Sequence, residues 1–163
     1  MIRAMKLSDI PRVAEIHVFG WRSAYRGIVS DEFLFNEFLV SKRMAKFEQS
    51  LKDGAENYVF DDGIIKAFIT ANPCRDEDKQ NSFALEALYV DPYMQRQGIG
   101  GTLMAHFEKL SAERGFDDVS LWLFEKNFPA RAFYEKLGYA PDGASKTVEP
   151  YGWEGMRYSK KLC

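Results

Sequence analysis

The sequence predicts an α/β protein in which a mixed sheet is covered by helices on both faces, with residues 1–163 forming one domain. Three observations lead there. The 163-residue length suits a single domain with a real hydrophobic core. Strand-like and helix-like stretches are interleaved along the chain. Near the centre an apolar run, a glycine-rich loop, an amphipathic stretch and a second apolar run follow one another, which reads as a right-handed βαβ unit.

The elements follow in order. Ile2 to Met5 is a short first strand, and Ser8 is the expected N-cap of a helix carrying Ile10, Val13, Ile16, His17 and Phe19 and continuing to Gly27. Ser30-Asp31 opens a second helical region through Phe33, Leu34, Phe38, Leu39, Met44, Phe47 and Leu51. Two strands, NYVF and IIKAFIT, flank the turn Asp61-Asp62-Gly63 and form a hairpin. A polar loop, NPCRDEDKQNS, leads into FALEALYV, apolar on both faces as a central buried strand should be. After the glycine stretch, Ile99, Leu103, Met104, Phe107 and Leu110 share one helical face, and the helix stops at Arg114-Gly115. VSLWLF is another buried strand, NFPARAFYEKLGY a helix with start and stop signals, and WEGMRYSKKL a final strand, with room for one more before it.

Bulk properties exclude several functions. The net charge of -2, with acids and bases interspersed, leaves no basic stripe for nucleic acid and no polybasic membrane anchor. No segment approaches the ~20 apolar residues of a membrane span, and the N-terminus lacks a signal-peptide pattern. Only Cys74 and Cys163 are present, without metal-ligand spacing, so a reduced, metal-free cytoplasmic protein is expected.

The glycines in DPYMQRQGIGGTLMAHFEKL raise the functional question. A helix N-terminus leaves backbone N–H groups unpaired and carries positive potential. Glycine removes the side chains that would keep a bulky anion such as pyrophosphate away from them. A Walker A loop needs a lysine that is missing here, and a dinucleotide-binding G-x-G-x-x-G needs glycine where Leu103 stands. What fits is Q/R-x-x-G-x-G over Gln95 to Gly100; the competing explanation is a glycine turn that merely packs a helix close to a sheet.

Downstream stands LWLFEKNFPARAFYEKLGY, with Asn127, Ala130 and Tyr134 in N-x-x-A-x-x-x-Y spacing, followed by Leu137-Gly138-Tyr139. Together with LEALYVDPYMQRQGIGGTL it resembles the GNAT superfamily of acetyl-CoA-dependent N-acetyltransferases. The N-terminal RAMKLSDIPRVAEIH and WRSAYRGIVSDEFL look like a bacterial branch of it, so the resemblance covers essentially the whole chain.

The resemblance implies a site. Backbone groups of Leu88, Tyr89 and Val90 would meet the pantetheine arm of acetyl-CoA. N–H groups of Gln95, Arg96, Gln97, Gly98, Ile99, Gly100 and Gly101 would hold the pyrophosphate. The strands ending at Val90 and Phe124 would splay apart to admit the thioester. Asn127 caps a helix and would also touch the cofactor arm. Arg131 either meets a phosphate or lies on a solvated face. Tyr134 is explained by burial alone, or, as the family implies, protonates the departing thiolate; a thiol near ~8.5 and a phenol near ~10 make that transfer feasible. Glu86, the lone acid in FALEALYV, is the candidate base, or else a buried acid paired with a helix arginine.

Trp21, Tyr25 and Arg26, with Glu149, Tyr151, Trp153 and Glu154, are candidates for the acceptor wall; the acids would suit a cationic amine. The expected acceptor is a small-molecule amine or a protein amine, attacked directly because no cysteine sits in either motif. A homodimer is common in the family. The alternatives are a catalytically silent acyl-CoA sensor and a nucleotide enzyme. Gly98→Val or Gly100→Val is expected to weaken CoA binding more than stability.

Overall fold

The computed structural model describes residues 1–149 and 151–162, so the expectation of a reduced Cys163 falls outside the described residues. Among the described residues there are seven strands: β1 (Ile2–Ala4), β2 (Glu56–Asp61), β3 (Ile65–Pro73), β4 (Ser82–Val90), β5 (Asp118–Phe124), β6 (Ala140–Val148) and β7 (Trp153–Lys161). Four helices accompany them: α1 (Ile10–Ala24), α2 (Val40–Lys52), α3 (Ile99–Glu113) and α4 (Phe128–Lys136). The strand order is β1-β2-β3-β4-β5-β7-β6. The sheet is mixed: β4 and β5 run parallel around α3, whereas β1-β2, β2-β3, β5-β7 and β6-β7 are antiparallel. Among the described residues no helix is long and apolar enough to cross a membrane.

The chain divides into two compact units, Met1–Ala71 with Ala87–Phe107, and Asn72–Glu86 with Glu108–Cys163. In the first, Met5, Ile10, Val13, Ala14, Ile16, Phe47, Val59 and Phe68 form a core, with Met44, Leu51, Ala87 and Tyr89 packed on it. Each fully buried valine, isoleucine or phenylalanine among them contributes about 1.5–3 kcal/mol.

Helix boundaries differ from the expectation at three places, the first being the end of α1 at Ala24 instead of Gly27, because Tyr25 leaves the helical region as its C-cap. Ser8 does not cap α1. A 3-10 turn, Leu7–Asp9, precedes the helix, and Asp9 occupies the cap position without a side-chain cap bond. Its carboxylate instead accepts from Arg3 at 2.7 Å and from the Lys6 N–H at 2.7 Å. A charge-assisted pair outcompetes a neutral cap, and Arg3 reaches Asp61 on β2 as well, at 2.8 Å. The helical region expected from Ser30 to Leu51 is broken in two. A π-helical turn, Phe33–Glu37, ends at Phe38, and extended Leu39 leads into α2.

His17 of α1 sits among aromatic rings, 4.8 Å from Tyr89, 5.2 Å from Phe38 and 5.6 Å from Phe47 and Phe68. Its Nδ1 has no hydrogen-bond partner among the described residues. Burial, then the charges of Arg43 and Lys46, lower its pKa from 6.5 to about 3. The unfolded chain therefore binds a proton below 6.5 that the folded chain refuses until about pH 3. Stability falls as pH falls through that window, by about 1.4 kcal/mol per pH unit. Urea unfolding at pH 6.5 to about 4.5 should show this slope, and His17→Phe should flatten it.

In the second unit Phe83, Leu85, Val119, Leu121, Leu123, Tyr139 and Tyr158 are buried. The loop Cys74–Gln80, which sequence left without a task, is strapped to this unit by Arg157 of β7. Arg157 is 3% exposed and donates to Asp142 at 2.7 Å, to Asp76 at 2.9 Å and to Asp78. The Trp122 indole N–H reaches Asp76 at 2.8 Å. Burial alone would raise the Asp76 carboxyl, but the hydrogen bonds from Arg157 and Trp122 outweigh it and hold it below 3.8.

Candidate active site

The first unit contains the strand, turn and helix start that carry the glycine motif. Beyond Leu85, β4 reads Glu86-Ala87-Leu88-Tyr89-Val90, and residues 87 to 90 are half-buried. The ladder from β4 to β5 runs from Ser82↔Asp118 to Leu85↔Leu121, although β4 continues to Val90 and β5 to Phe124. Past Val90 the chain is turned by Asp91. Its buried carboxylate accepts from the Tyr93 N–H at 2.9 Å and pairs with Arg12 of α1. Its own N–H donates to the Lys66 carbonyl at 2.8 Å, and Arg12 Nε donates to the Ile65 carbonyl at 3.2 Å. Asp91 thus fixes where the following loop begins. Sequence reasoning passed it over, since its partner lies 79 positions away; the only local signal is an acid before proline at a strand end.

Gln95, Arg96, Gln97 and Gly98 are exposed, Ile99 is buried, and Gly100 and Gly101 open α3 half-exposed. Arg96 takes a positive φ of 63°, uncommon for a residue with a side chain. Gly98 has φ 78°, and its carbonyl accepts the Thr102 N–H at 3.0 Å, the first turn of the helix. Ile99, Leu103, Met104, Phe107 and Leu110 are buried along one stripe, as their spacing predicts.

The glycines now separate by cause. Gly98 is required by its backbone, because a Cβ at positive φ is strained whatever the space. The contrast expected for Gly98→Val therefore does not isolate ligand binding, since that change also strains the fold. Gly101 has neither reason: its φ is ordinary, and among the described residues a Cβ there would meet nothing within 4 Å. Close packing of helix on sheet explains neither glycine.

The second unit holds the other candidates. Asn127 is the N-cap of α4, its Oδ1 accepting from the Ala130 N–H at 3.3 Å, and it is buried. Tyr134 is 9% exposed on α4, its ring 5.1 Å from Phe133 and 5.9 Å from Tyr139. The Tyr139 hydroxyl is pushed up by burial and by Glu108, so it stays protonated. Arg131 serves the fold, with Nε 3.1 Å from the Tyr158 hydroxyl and a second donor 3.2 Å from the Glu125 carbonyl.

Glu86 corrects the sequence reading. It is exposed, where a buried acid was expected. It is the first residue of β4 past the last rung to β5, so the neighbour that would have covered it is no longer in register. Glu149 is exposed in the turn after β6, and Tyr151 stacks on Trp153 at 4.3 Å. In the first unit Trp21 and Tyr25 meet edge to face at 4.8 Å, and the hydroxyls of Tyr25 and Tyr89 lie 2.9 Å apart.

Comparison with known proteins bears on the family and the fold. The pattern of the acetyltransferase (GNAT) family matches residues 29–139. A Mycobacterium tuberculosis protein described as a probable N-acetyltransferase is 34% identical over 153 residues, 91% of this chain and 84% of the relative. An uncharacterized N-acetyltransferase of Bacillus subtilis, YuaI, is 30% identical over 145 residues, 86% of this chain and 79% of its own length. The PaiA N-acetyltransferase of Thermoplasma acidophilum, solved in complex with coenzyme A, superposes with a TM-score of 0.76 at 21% identity, covering 99% of this chain and 98% of that one. The seven-stranded mixed sheet, the strand-turn-helix at its centre and these matches lead to one conclusion: the chain belongs to the GNAT family of acetyltransferases.

Proposed function

We propose that residues 1–163 act as one catalytic domain that transfers an acetyl group from acetyl-CoA to a primary amine by direct attack. The observation that carries the donor assignment is Gly101, whose missing side chain has no reason inside the fold. Bare N–H groups at the start of α3 suit a pyrophosphate, and the solved relative that holds coenzyme A supports the same guest. Gln95 through Gly101 would hold the phosphates, and the backbone of Leu88, Tyr89 and Val90 would take the pantetheine arm as an added strand takes its neighbour. Asn127 caps α4 and borders that arm.

When bound, acetyl-CoA supplies an acyl group activated as a thioester. The chain's own residues supply positions and protons. Glu86 meets solvent and takes the ammonium proton of the acceptor, directly or through water. Tyr134 donates its phenolic proton to the sulfur as the thiolate leaves. Trp21, Tyr25 and Glu149 are assigned to the acceptor side. The acceptor is a small-molecule or protein amine.

Calorimetry and a thiol-release assay with a panel of amines test this reading. The chain should bind CoA in preference to NAD, and at least one amine should support thiol release. Gly101→Val should weaken CoA binding by more than about tenfold with little change in melting temperature. Gly98→Ala, in contrast, should cost about 1–2 kcal/mol of stability through its backbone. Binding of NAD without CoA would overturn the proposal. CoA binding with no turnover on any amine would leave an acyl-CoA sensor.

A further inference from the structure

Gly20 lies inside α1, where glycine is unfavourable by about 1 kcal/mol relative to alanine. Its φ is not in the left-handed region, so conformation does not require it. Space does. A Cβ on Gly20 would stand 2.7 Å from Cδ1 of Tyr89, closer than two carbon atoms can pack. The Tyr89 ring cannot move aside cheaply. His17 lies 4.8 Å from it on one flank and Phe68 is stacked 5.8 Å away. Its hydroxyl is held at 2.9 Å by that of Tyr25, the C-cap residue of α1. Burial pushes the Tyr25 hydroxyl up, so it keeps its proton.

Tyr89 belongs to the part of β4 that has passed its last rung to β5. With that neighbour gone, β3 still borders β4 on its other edge, and the open side of residues 87–90 must be fixed from elsewhere. Helix α1 does so at three points: Arg12 on Asp91, the notch at Gly20 on the Tyr89 ring, and Tyr25 on the Tyr89 hydroxyl. We infer that Gly20, Tyr25 and Tyr89 form a lock that sets the position of the outer half of β4. Tyr25 is thereby a positioning residue for the acyl-donor strand and not a contact for the amine. This inference rests on the donor assignment proposed above, and it changes the task assigned there to Tyr25.

Hydrogen exchange of the ligand-free protein reads the lock by itself, and kinetics read its role. In Gly20→Ala and in Tyr25→Phe, exchange of the amides of residues 87–91 should rise by about tenfold or more, which is local opening. The KM for acetyl-CoA should rise about tenfold with kcat held within about twofold, the signature of lost donor positioning. Tyr25→Phe and Tyr89→Phe should act alike, and the double variant should be no worse than either, because both remove one shared bond. A general packing defect would lower the melting temperature without this split. Unchanged exchange at residues 87–91 in Tyr25→Phe and Tyr89→Phe overturns the lock, even should Gly20→Ala fail to fold. A rise in the KM of the amine alone, in Tyr25→Phe but not in Tyr89→Phe, overturns it in favour of an acceptor contact. Failure of the unmodified chain to bind CoA removes the donor assignment and the lock's role with it, whatever the exchange shows.

Discussion

Replacing Tyr134 with phenylalanine is expected to lower turnover by about 100-fold or more while the affinity for acetyl-CoA stays unchanged. The change removes one oxygen and keeps the ring. Tyr134 is 9% exposed and packs against Phe133 and Tyr139, so phenylalanine fills the same space. The α4 cap at Asn127 is untouched. What disappears is the proton delivered to the sulfur as its bond to the acyl carbon breaks. Thiol release measured beside calorimetry with CoA separates the two effects. A variant that keeps its rate within about twofold would remove Tyr134 from the chemistry.

Arg157→Met should be the most damaging single change to the fold, lowering unfolding free energy by about 3–5 kcal/mol. Methionine replaces the stem of the side chain but not its charge. Asp76 and Asp142 would then remain, partly buried and without their guanidinium, and the loop Cys74–Gln80 would lose its strap. The pH dependence follows from the carboxyls. Asp76 and Asp78 are held below 3.8 in the folded chain, so the stability they contribute is present above that value and is lost as pH falls through their folded pKa. The gap between Arg157→Met and the unmodified chain should therefore narrow in acid, where protonated carboxyls no longer need a cation. Urea titrations at neutral pH and near pH 3 measure it.

What the sequence disclosed was what its neighbours in sequence decide. The α3 stripe from Ile99 to Leu110, the hairpin around Gly63 and the Asn127 cap are local patterns, and all three are present. Ser8 does not cap because Arg3, itself paired with Asp61 58 positions away, draws Asp9 into an ion-pair cluster. The apolar neighbours of Glu86 suggest a covered strand, whereas cover depends on how far the adjacent ladder runs. The same limit hid the pairing of Arg12 with Asp91, the notch at Gly20 and the Arg157 strap. Each joins residues far apart in the chain, and nothing at either end announces the other. The glycines fell in between: their pattern was visible, but only backbone angles could separate Gly98, bound by its φ, from Gly101, bound by nothing internal.

A strand that outruns its ladder also bears on how the protein survives in concentrated solution. Sheet edges invite other chains, and proteins blunt them with shortness, proline or lysine. The outermost strands follow that rule: β1 has three residues, and β6 contains Pro141, Lys146 and an irregular register. Ala87 to Val90 have none of these protections, and their ladder toward β5 has already ended at Leu85. Such a segment is a template for intermolecular pairing unless something lies along it. The protein is therefore expected to aggregate fastest when empty, and a ligand that occupies this segment would act as its own protein's solubilising agent.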